Sequence, residues 1–298
     1  MTLPGDLPRA LLQLAHGGSW LLVAGNEGAA PVVSALTQIM GLAAVDQPDP
    51  TPCRSEARTI VVYASNGSAV TGPREARGHH LPPHTWYHVT SDDAGNLTCV
   101  VSAPPTHPGL LRAMRSVSAA LNRQVERRGG VLLHGGLIER AGEGVILAGQ
   151  AGVGKTTASS RIPPPWRSLS DDATLVLPDD QGTYWAHPWP TWAKLIDPGV
   201  VLRWDVQQSV PLQAICFLAQ APTDSLRVLP PAQATCLLVQ SAGQVPSSMW
   251  LLERPDQVRS QRLRLLDNIA ALAGAVACHE LQVSLTGAFW ELIETAFG

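Results

Sequence analysis

The sequence predicts an α/β protein of two unequal domains, in which a smaller α/β module precedes a domain built on a mixed β-sheet. Three observations predict this class. The 298 residues suffice for two ordinary domains with substantial cores. Short apolar runs typical of strands alternate with segments of helical spacing. In the second half, a glycine-rich loop directly follows one such run. We place the first module at residues 1–127 and the second domain at 128–298.

Composition narrows the functional class. Lys and Arg total 21 and Asp and Glu 24, a net charge of −3 that argues against a broad nucleic-acid-binding surface. Hydrophobic residues make up 45%, and charged residues make up only 15% against a usual quarter or so, which predicts a globular and not a disordered chain. The apolar stretches fall short of the roughly 20 residues that a membrane span needs. The N-terminus lacks a secretory pattern, and the five cysteines are scattered without a Cys-x-x-Cys pair. We therefore expect a cytoplasmic protein that binds neither nucleic acid nor membranes.

The first module contains strand, helix and hairpin signals in turn. Apolar runs at 20–24 and 59–64 indicate strands, and residues 29–40 between them indicate a helix. Residues 86–90 and 97–102 predict a hairpin around a glycine-containing turn. After a proline-rich break, residues 109–127 carry apolar side chains at helical spacing and mark the domain boundary.

The second domain opens with a predicted antiparallel hairpin, whose arms are residues 131–138 and 145–148. Residues 172–177 and 183–186 predict another hairpin. The remaining predicted elements are strands at 215–218 and 235–239, one long or broken helix at 259–279 and a terminal helix at 290–296.

The strongest motif begins where the second arm of that hairpin ends. It fits the pattern G-x-x-x-x-G-K-S/T and is followed by Thr157, in the order Gly149, Gln150, Ala151, Gly152, Val153, Gly154, Lys155, Thr156. Glycines let backbone N–H groups approach phosphate oxygens, and the lysine supplies a positive charge to the β- and γ-phosphates. The hydroxyl of Thr156 suits Mg²⁺. The motif predicts nucleotide binding, with ATP and Mg²⁺ as the expected ligands.

Three further side chains are candidates for the chemistry. Asp171 and Asp172 open an apolar run after the loop, whereas an ordinary Walker B carboxylate ends one. Adjacent side chains on a strand face opposite sides, so both carboxylates can act together only if the chain turns there. A solvated turn or a helix cap is the alternative for this pair. His134 lies in the first arm of the hairpin, where a hydrogen-bonded core histidine is the alternative.

The order of these features resembles the HPr kinase/phosphorylase family and its relatives. His134-Gly135, the hairpin turn, the phosphate loop and then Asp171-Asp172 carry the resemblance, roughly over residues 130–200. More narrowly, Ser170-Asp-Asp together with Ala186-His-Pro-Trp-Pro-Thr-Trp192 is similar to the HPr-kinase-related family of the SynChlorMet cassette, which accompanies radical-enzyme peptide maturation. The resemblance implies an HPr-kinase-like P-loop domain with a mixed sheet.

The resemblance also implies roles for individual residues. Lys155 and Thr156 would hold the phosphates and Mg²⁺, and Asp171 would take the proton of the acceptor hydroxyl. Asp172 and His134 would assist, with Asp172 beside the metal and the two aspartates interchangeable. The chain departs from full HPr kinases in lacking a Glu-Ile-Arg-Gly stretch after the aspartates, and its N-terminal half shows no match. Both departures argue against HPr as the acceptor and against the reverse reaction. HPr kinases are hexamers, which leaves a homo-oligomer open.

Weaker features have ordinary structural explanations. The segment 187–192 is rigid and aromatic, where loop packing competes with contact to an acceptor or purine. Lys194 and a run of late arginines are candidates for contacting the transferred phosphate, against a default of solvated side chains. A histidine group is a poor metal site because prolines interrupt it. These arginines and histidines are Arg254, Arg259, Arg262, Arg264, His79, His80, His84 and His88.

The sequence supports one main hypothesis and one alternative. The main hypothesis is a Mg²⁺- and ATP-dependent kinase that phosphorylates a hydroxyl, most plausibly Ser or Thr of a peptide or small protein, with a small-molecule acceptor left open. The alternative is a non-catalytic nucleotide-binding partner protein of a peptide-modification complex. A GTPase and an ABC-type ATPase are disfavoured because the chain lacks Asn-Lys-x-Asp and Ser-Gly-Gly signatures.

Overall fold

The computed structural model describes residues 7–15, 18–45, 57–65, 79–81, 85–92, 95–102, 106–244 and 255–297. Its contacts divide the chain into two compact units. The described residues of the first unit come from Met1–Gln124 and Trp192–Gln207. Those of the second come from Val125–Thr191, Gln208–Pro246 and Arg254–Gly298. Each unit is a mixed α/β structure with its own mixed sheet.

The sheet of the first unit has the strand order β3-β1-β2-β4-β7-β6-β5. Strands β2, β4 and β7 run parallel at its centre, and the outer pairs are antiparallel. The described residues of the unit include helix α1 (Ala30–Ile39) and all but the last two residues of helix α2 (His107–Glu126). The strands are β1 (Arg9–Leu14), β2 (Gly18–Ala24), β3 (Ala43–Ala44), β4 (Arg58–Ser65), β5 (His79–Leu81), β6 (Thr85–Ser91) and β7 (Leu97–Ser102).

One asparagine joins the ends of two parallel strands in this unit. Asn26 follows β2, and its side-chain amide donates to the carbonyl oxygen of Ala64 at the end of β4, at 2.9 Å. Its carbonyl oxygen accepts from the N–H groups of Ala64 at 3.1 Å and Ala29 at 3.0 Å. The edge of the sheet between β2 and β4 is therefore closed by hydrogen bonds of the chain itself.

The sheet of the second unit follows the order β11-β9-β10-β14-β13-β12-β8, and β16 pairs with β14 and β15. Strand β10 runs parallel to β14, which runs parallel to β16. The helices are α3 (Lys155–Arg161), α4 (Pro231–Gln244), α5 (Pro255–Ala275) and α6 (Phe289–Phe297). The strands are β8 (Val131–Leu133), β9 (Gly135–Arg140), β10 (Glu143–Ala148), β11 (Arg167–Ser170), β12 (Thr174–Pro178), β13 (Tyr184–Pro188), β14 (Val210–Gln220), β15 (Ser225–Val228) and β16 (Ala277–Val283).

Helices cover both faces of this second sheet. On one face, Ile146 and Ile215 of the central strands pack in a buried cluster with residues of α4 and α5, such as Leu238 and Leu272. On the other face, Leu147 packs in a cluster with residues of α3 and α6. Successive strand residues point to opposite faces, so the apolar run of β10 is buried on both sides.

In the second unit, two connections between strands lead the chain from one set of paired strands to another. Strand β8 pairs with β12, whereas β9 pairs with β10 and β11, and His134 is the residue between β8 and β9. The return crossing lies between β11 and β12 and contains Asp171 and Asp172. The two predicted catalytic segments are therefore two of the points where the chain passes from one set of paired strands to the other; the third is β14, which pairs with β13 at its start and with β10 further along.

Most predicted elements are confirmed, and four need correction. Residues 235–239, predicted as a strand, lie inside α4. The predicted helix 259–279 ends at Ala275, and its last residues begin β16. The predicted arm 131–138 is interrupted at His134, and the strand predicted from residue 172 begins at Thr174. The hairpin of β6 and β7 is confirmed, although residues 93 and 94 of its turn lie outside the described residues.

In the part of the chain that the structure describes, no helix combines the length and apolar character needed to cross a membrane.

Candidate functional site

The glycine-rich loop connects β10 to α3. Its glycines have positive φ angles of 151° at Gly149, 82° at Gly152 and 104° at Gly154. A Cβ atom at Gly152 or Gly154 would meet no atom within 4 Å, so the backbone conformation itself requires glycine there. Helix α3 starts directly at Lys155, with the N–H of Ala158 donating to the carbonyl oxygen of Gly154 at 2.8 Å. The space around the middle of the loop is open.

The ammonium group of Lys155 is enclosed by its own loop. The residue is only 5% exposed. Its Nζ atom donates to the carbonyl oxygens of Gly149 at 2.9 Å and Gln150 at 3.1 Å, and it lies 2.9 Å from Nε2 of His134. Burial lowers the pKa of Lys155, and the nearby carboxylate of Asp172 opposes that shift. The lysine that would contact phosphate already has a full set of partners.

His134 is fixed through its backbone. Its N–H donates to the carbonyl oxygen of Ser241 in α4 at 3.4 Å, and the Ser241 hydroxyl donates to the carbonyl oxygen of His134 at 3.2 Å. Its imidazole Nδ1 lies 3.4 Å from Oδ1 of Asp172. Because the ammonium group of Lys155 can only donate, Nε2 must accept and Nδ1 must carry the hydrogen that faces Asp172. Lys155 therefore donates to Nε2 of His134, and the Nδ1 hydrogen of His134 faces Asp172.

The charge state of His134 follows from the same contacts. Burial lowers the pKa of His134, the carboxylate of Asp172 raises it, and the positive charge of Lys155 lowers it. The lowered pKa favours the neutral imidazole, which is the form that can accept from Lys155.

The turn that carries the aspartates is held against β9. The N–H of Leu137 donates to the Ser170 hydroxyl at 3.2 Å, and the Thr174 hydroxyl donates to the carbonyl oxygen of Gly135 at 2.8 Å. A Cβ atom at Gly136 would lie 3.1 Å from the carbonyl oxygens of both Ser170 and Asp171. The small residues after His134 therefore allow the close approach that brings the aspartate turn to the histidine.

The structure brings together three of the predicted catalytic residues, Lys155, His134 and Asp172, by direct contact. Asp172 has a 30% exposed side chain and acts electrostatically on both of the other two. Asp171 is its neighbour in the same turn and is partly buried. Thr156 and Thr157 are exposed in the first turn of α3, as hydroxyls that contact a metal or phosphate must be.

Of the cavities lined by described residues, two that border the loop bear on the site. The first, of about 500 Å³, lies between the loop, the end of β14 and helix α4, and Ser241 is among its lining residues. The second, of about 450 Å³, lies between α3 and the chain that follows β14 and β16. Val153 of the loop lines both cavities.

The weaker candidates lie elsewhere. His187 is fully buried in β13, as a core histidine would be. Lys194 is exposed in a short 3₁₀ turn of the first unit. Arg259, Arg262 and Arg264 are exposed on α5, and Arg254 lies outside the described residues.

The histidine group predicted to be a poor metal site is described only in part. His84 lies outside the described residues, and His79, His80 and His88 are described only as backbone positions in β5 and β6. Among the described residues, no group of three or more His, Cys, Asp or Glu side chains is arranged to hold a metal.

Sequence reasoning missed the residues that support the site. Ser241 was hidden because its segment was predicted next to a strand rather than inside a helix. The sequence pattern includes Ser170 only as part of the Ser-Asp-Asp motif and indicates no role for Thr174. The glycines at 135 and 136 are the signal that marks a close approach of two backbones.

The fold and the site define a mixed α/β protein with a Walker-type glycine-rich loop beside a lysine–histidine–aspartate contact. Within that class, the chain belongs to the family described as SynChlorMet cassette protein ScmC, whose family model matches residues 97–298. The match covers the whole second unit. No curated protein matches the chain.

Proposed function

We propose that the protein is a Mg²⁺- and ATP-dependent kinase that transfers the γ-phosphate to a hydroxyl, with Ser or Thr of a peptide as the acceptor. The proposal rests on one observation, the continuous contact from Lys155 through His134 to Asp172 at the glycine-rich loop. Phosphoryl transfer needs a cation on the phosphates and a carboxylate near the nucleophile, and this contact places both kinds of group together.

The loop supplies phosphate binding in this proposal. The positive φ angles at Gly152 and Gly154 leave open space beside the loop backbone, where its N–H groups reach phosphate oxygens. Lys155 exchanges its partners Gly149 O, Gln150 O and His134 Nε2 for oxygens of the β- and γ-phosphates. His134 then keeps Asp172 oriented through the Nδ1 hydrogen.

The residues present fit Mg²⁺. This ion takes oxygen ligands and usually keeps several waters, binding through one or two protein groups and the phosphates of the substrate. The Thr156 hydroxyl and the Asp172 carboxylate are such groups, and both are accessible. When bound, the ion would neutralise charge on the transferred phosphoryl group.

We assign different roles to the carboxylates of Asp171 and Asp172. Asp172 contacts His134, acts electrostatically on Lys155 and is the carboxylate that we assign to Mg²⁺. We therefore assign proton acceptance to Asp171. The O–H bond of the acceptor breaks and its proton moves to Asp171, a new oxygen–phosphorus bond forms, and the bond from the γ-phosphorus to its bridging oxygen breaks to release ADP.

The class of acceptor is supported by the family and by the cavity beside α4. Membership of a cassette-protein family suggests a role in peptide modification. The resemblance of roughly residues 130–200 to the HPr kinase/phosphorylase family supports a hydroxyl of a protein or peptide. The cavity of about 500 Å³ reaches Ser241, which holds His134, so an acceptor entering there approaches the γ-phosphate end of the loop.

The test compares two aspartate variants with ATP labelled on the γ-phosphate and the precursor peptides encoded in the same cassette. We expect Asp171→Asn to lower phosphate transfer at least about 100-fold while ATP binding stays normal. Asp172→Asn should weaken both transfer and Mg²⁺-dependent ATP binding. Asp180→Asn, an exposed aspartate of the β12–β13 turn, is the matched control and should change neither.

Normal transfer by Asp171→Asn would refute the assignment of the base. ATP binding without transfer to any cassette peptide would instead favour the alternative function, a non-catalytic nucleotide-binding partner of a peptide-modification complex.

A further inference from the structure

The proposed kinase site has a direction, because a nucleoside triphosphate has two different ends. The γ-phosphate end must lie at Lys155, His134 and Asp172, where the catalytic groups meet. His134 is bonded to Ser241, and Ser241 lines the cavity beside α4. That cavity therefore adjoins the reacting end of the triphosphate, and the nucleoside must leave the loop on another side.

The second cavity adjoins the other end of the loop. Its lining begins at Val153 and Gly154 and continues along α3 through Thr157 to Arg161. It is completed by the segments that follow β14 and β16, which run parallel to β10. Ligands of open α/β sheets bind outside the carboxyl ends of the strands, and this cavity lies at two such ends, those of β14 and β16.

The chemistry of this cavity suits a nucleobase and ribose. Apolar surface comes from Pro222, Val283 and Leu285, and polar groups come from Thr157 and Gln220. A volume of about 450 Å³ lies within the usual range for small-molecule sites, which are mostly apolar with a few polar groups that fix orientation. Gln220 lines both cavities, and the cavity beside α4 has the carboxamides of Gln240 and Gln244 in addition.

An exposed leucine at the rim of the second cavity is the independent observation. Leu285 is 89% exposed, the highest value among the large hydrophobic side chains that the structure describes as exposed. Burying such a side chain is favourable, so a ligand that covers it gains binding free energy. Its position at the cavity places that apolar surface where a flat ring would lie.

The segment that carries Leu285 is held in place by charged side chains. The Arg161 guanidinium donates to the carbonyl oxygens of Ser284 at 2.7 Å and Gly287 at 2.5 Å. Asp224 accepts from the N–H of Ser284 at 2.6 Å. Hydrogen bonds to charged groups are stronger than neutral ones, so the exposure of Leu285 is imposed by the structure and is not the result of a loose loop.

We propose that the nucleoside of the bound triphosphate occupies the cavity between α3 and the segments after β14 and β16, with its base against Leu285. The cavity beside α4 is thereby left to the acceptor. This inference rests on the proposed kinase function, because it takes the glycine-rich loop as the site of the triphosphate.

The experiment separates nucleoside contacts from phosphate contacts. Isothermal titration calorimetry with MgCl₂ measures the affinity of each variant for ATP and for inorganic tripolyphosphate, which lacks the nucleoside. Leu285→Gln should weaken ATP binding roughly fivefold, and Ala221→Trp, which fills the same cavity, about tenfold or more. Tripolyphosphate binding should stay at the wild-type level in both variants.

Two matched controls complete the design. Leu263→Gln changes a leucine on α5 that is 53% exposed and lines neither cavity. Gln244→Trp fills the cavity beside α4. Both should bind ATP and tripolyphosphate as the wild-type protein does.

Loss of ATP affinity in Gln244→Trp but not in Ala221→Trp would overturn the assignment by placing the nucleoside beside α4. Equal losses for ATP and tripolyphosphate in Leu285→Gln and Ala221→Trp would overturn it as well. If wild-type protein bound tripolyphosphate but none of these variants changed ATP binding, this inference would fail while the proposed function stood. Absence of binding of either ligand to the wild-type protein would overturn both.

Discussion

In each of the two units, two parallel strands end side by side. The units differ in whether the residues that follow leave the backbone groups at these strand ends accessible. In the first unit, Asn26 follows β2 and joins it to β4 through two hydrogen bonds with Ala64, and a third caps the 3₁₀ turn at Ala29. In the second, β10 ends next to β14 in a glycine-rich loop bordered by two cavities. Neighbouring ends of parallel strands are therefore not sufficient to form a ligand site. Where a side chain such as Asn26 hydrogen-bonds the backbone groups at the strand ends, no ligand can bind them. Where glycines leave those backbone groups accessible, a ligand can.

The largest expected effect comes from removing the cation of the open site. Lys155→Ala should weaken ATP binding about 100-fold or more, because charge-assisted hydrogen bonds to two phosphates are lost. Calorimetry measures the change. Arg227→Ala, an exposed cation of β15 that pairs with Glu280 and lines neither cavity, is the control and should bind ATP normally. Equal affinity of the two variants for ATP would contradict the role of Lys155 and of the glycine-rich loop in binding.

Substitution of Asn26 should lower the stability of the protein and leave its affinity for ATP unchanged. Asn26→Ala removes three hydrogen bonds and should lower the free energy of unfolding by about 2 kcal/mol. Urea denaturation followed by circular dichroism checks this value. Asn26→Asp keeps an acceptor for the N–H groups of Ala29 and Ala64 and should lose less. Weakened ATP binding in Asn26→Ala would contradict the structural role.

Backbone conformation distinguishes the loop glycines from an ordinary helical glycine. At Gly152, with φ of 82° and no atom near a Cβ, alanine should cost about 1 kcal/mol through strain alone. At Gly243 in α4, also without atoms near a Cβ, alanine should stabilise the protein by up to about 1 kcal/mol. Thermal unfolding of both variants provides the measurement, and changes of the same sign would refute the distinction.

The smallest expected effect is a pH dependence of stability that originates in the second unit. Burial lowers the pKa of His134 and of His279 below 6.5 in the folded state. The unfolded chain therefore takes up protons first as the pH falls, so stability is full above pH 6.5 and decreases as the pH falls towards the folded pKa values.

Urea denaturation at about pH 7.5 and about pH 5 measures this decrease. His134→Gln should lose less stability on acidification than the wild-type protein, and a double variant that adds His279→Gln should lose less again. An unchanged difference between the two pH values in the double variant would contradict the assignment.

The sequence predicted the parts of the site that have local patterns. The Walker-type loop is recognisable from eight consecutive residues, and the hairpin before it from two apolar runs and a turn. The partner change at His134 was not predictable, because the run from Val131 to Ile138 is apolar on both sides of the break and periodicity carries no information about pairing. The meeting of His134 with Asp172 depends on that change of partners.

Helix α4 shows how composition misled the prediction. Its residues Thr235, Cys236, Leu237, Leu238 and Val239 are apolar or β-branched and indicate a strand in isolation. Pro231 at the first helical position and the alanines and glutamines around the run favour a helix over a longer window. Because Ser241 lies in this helix, the error also hid the support of His134.

The enclosed state of Lys155 has a consequence for what the loop can select. Chloride has no oxygen atoms to replace the two carbonyls and the imidazole that the ammonium group would leave, and a free sulfate ion does not extend along the loop. A chain of linked phosphates replaces these partners and also accepts from backbone N–H groups along the loop. If the loop binds a triphosphate as proposed, we expect it to bind chloride and sulfate more weakly.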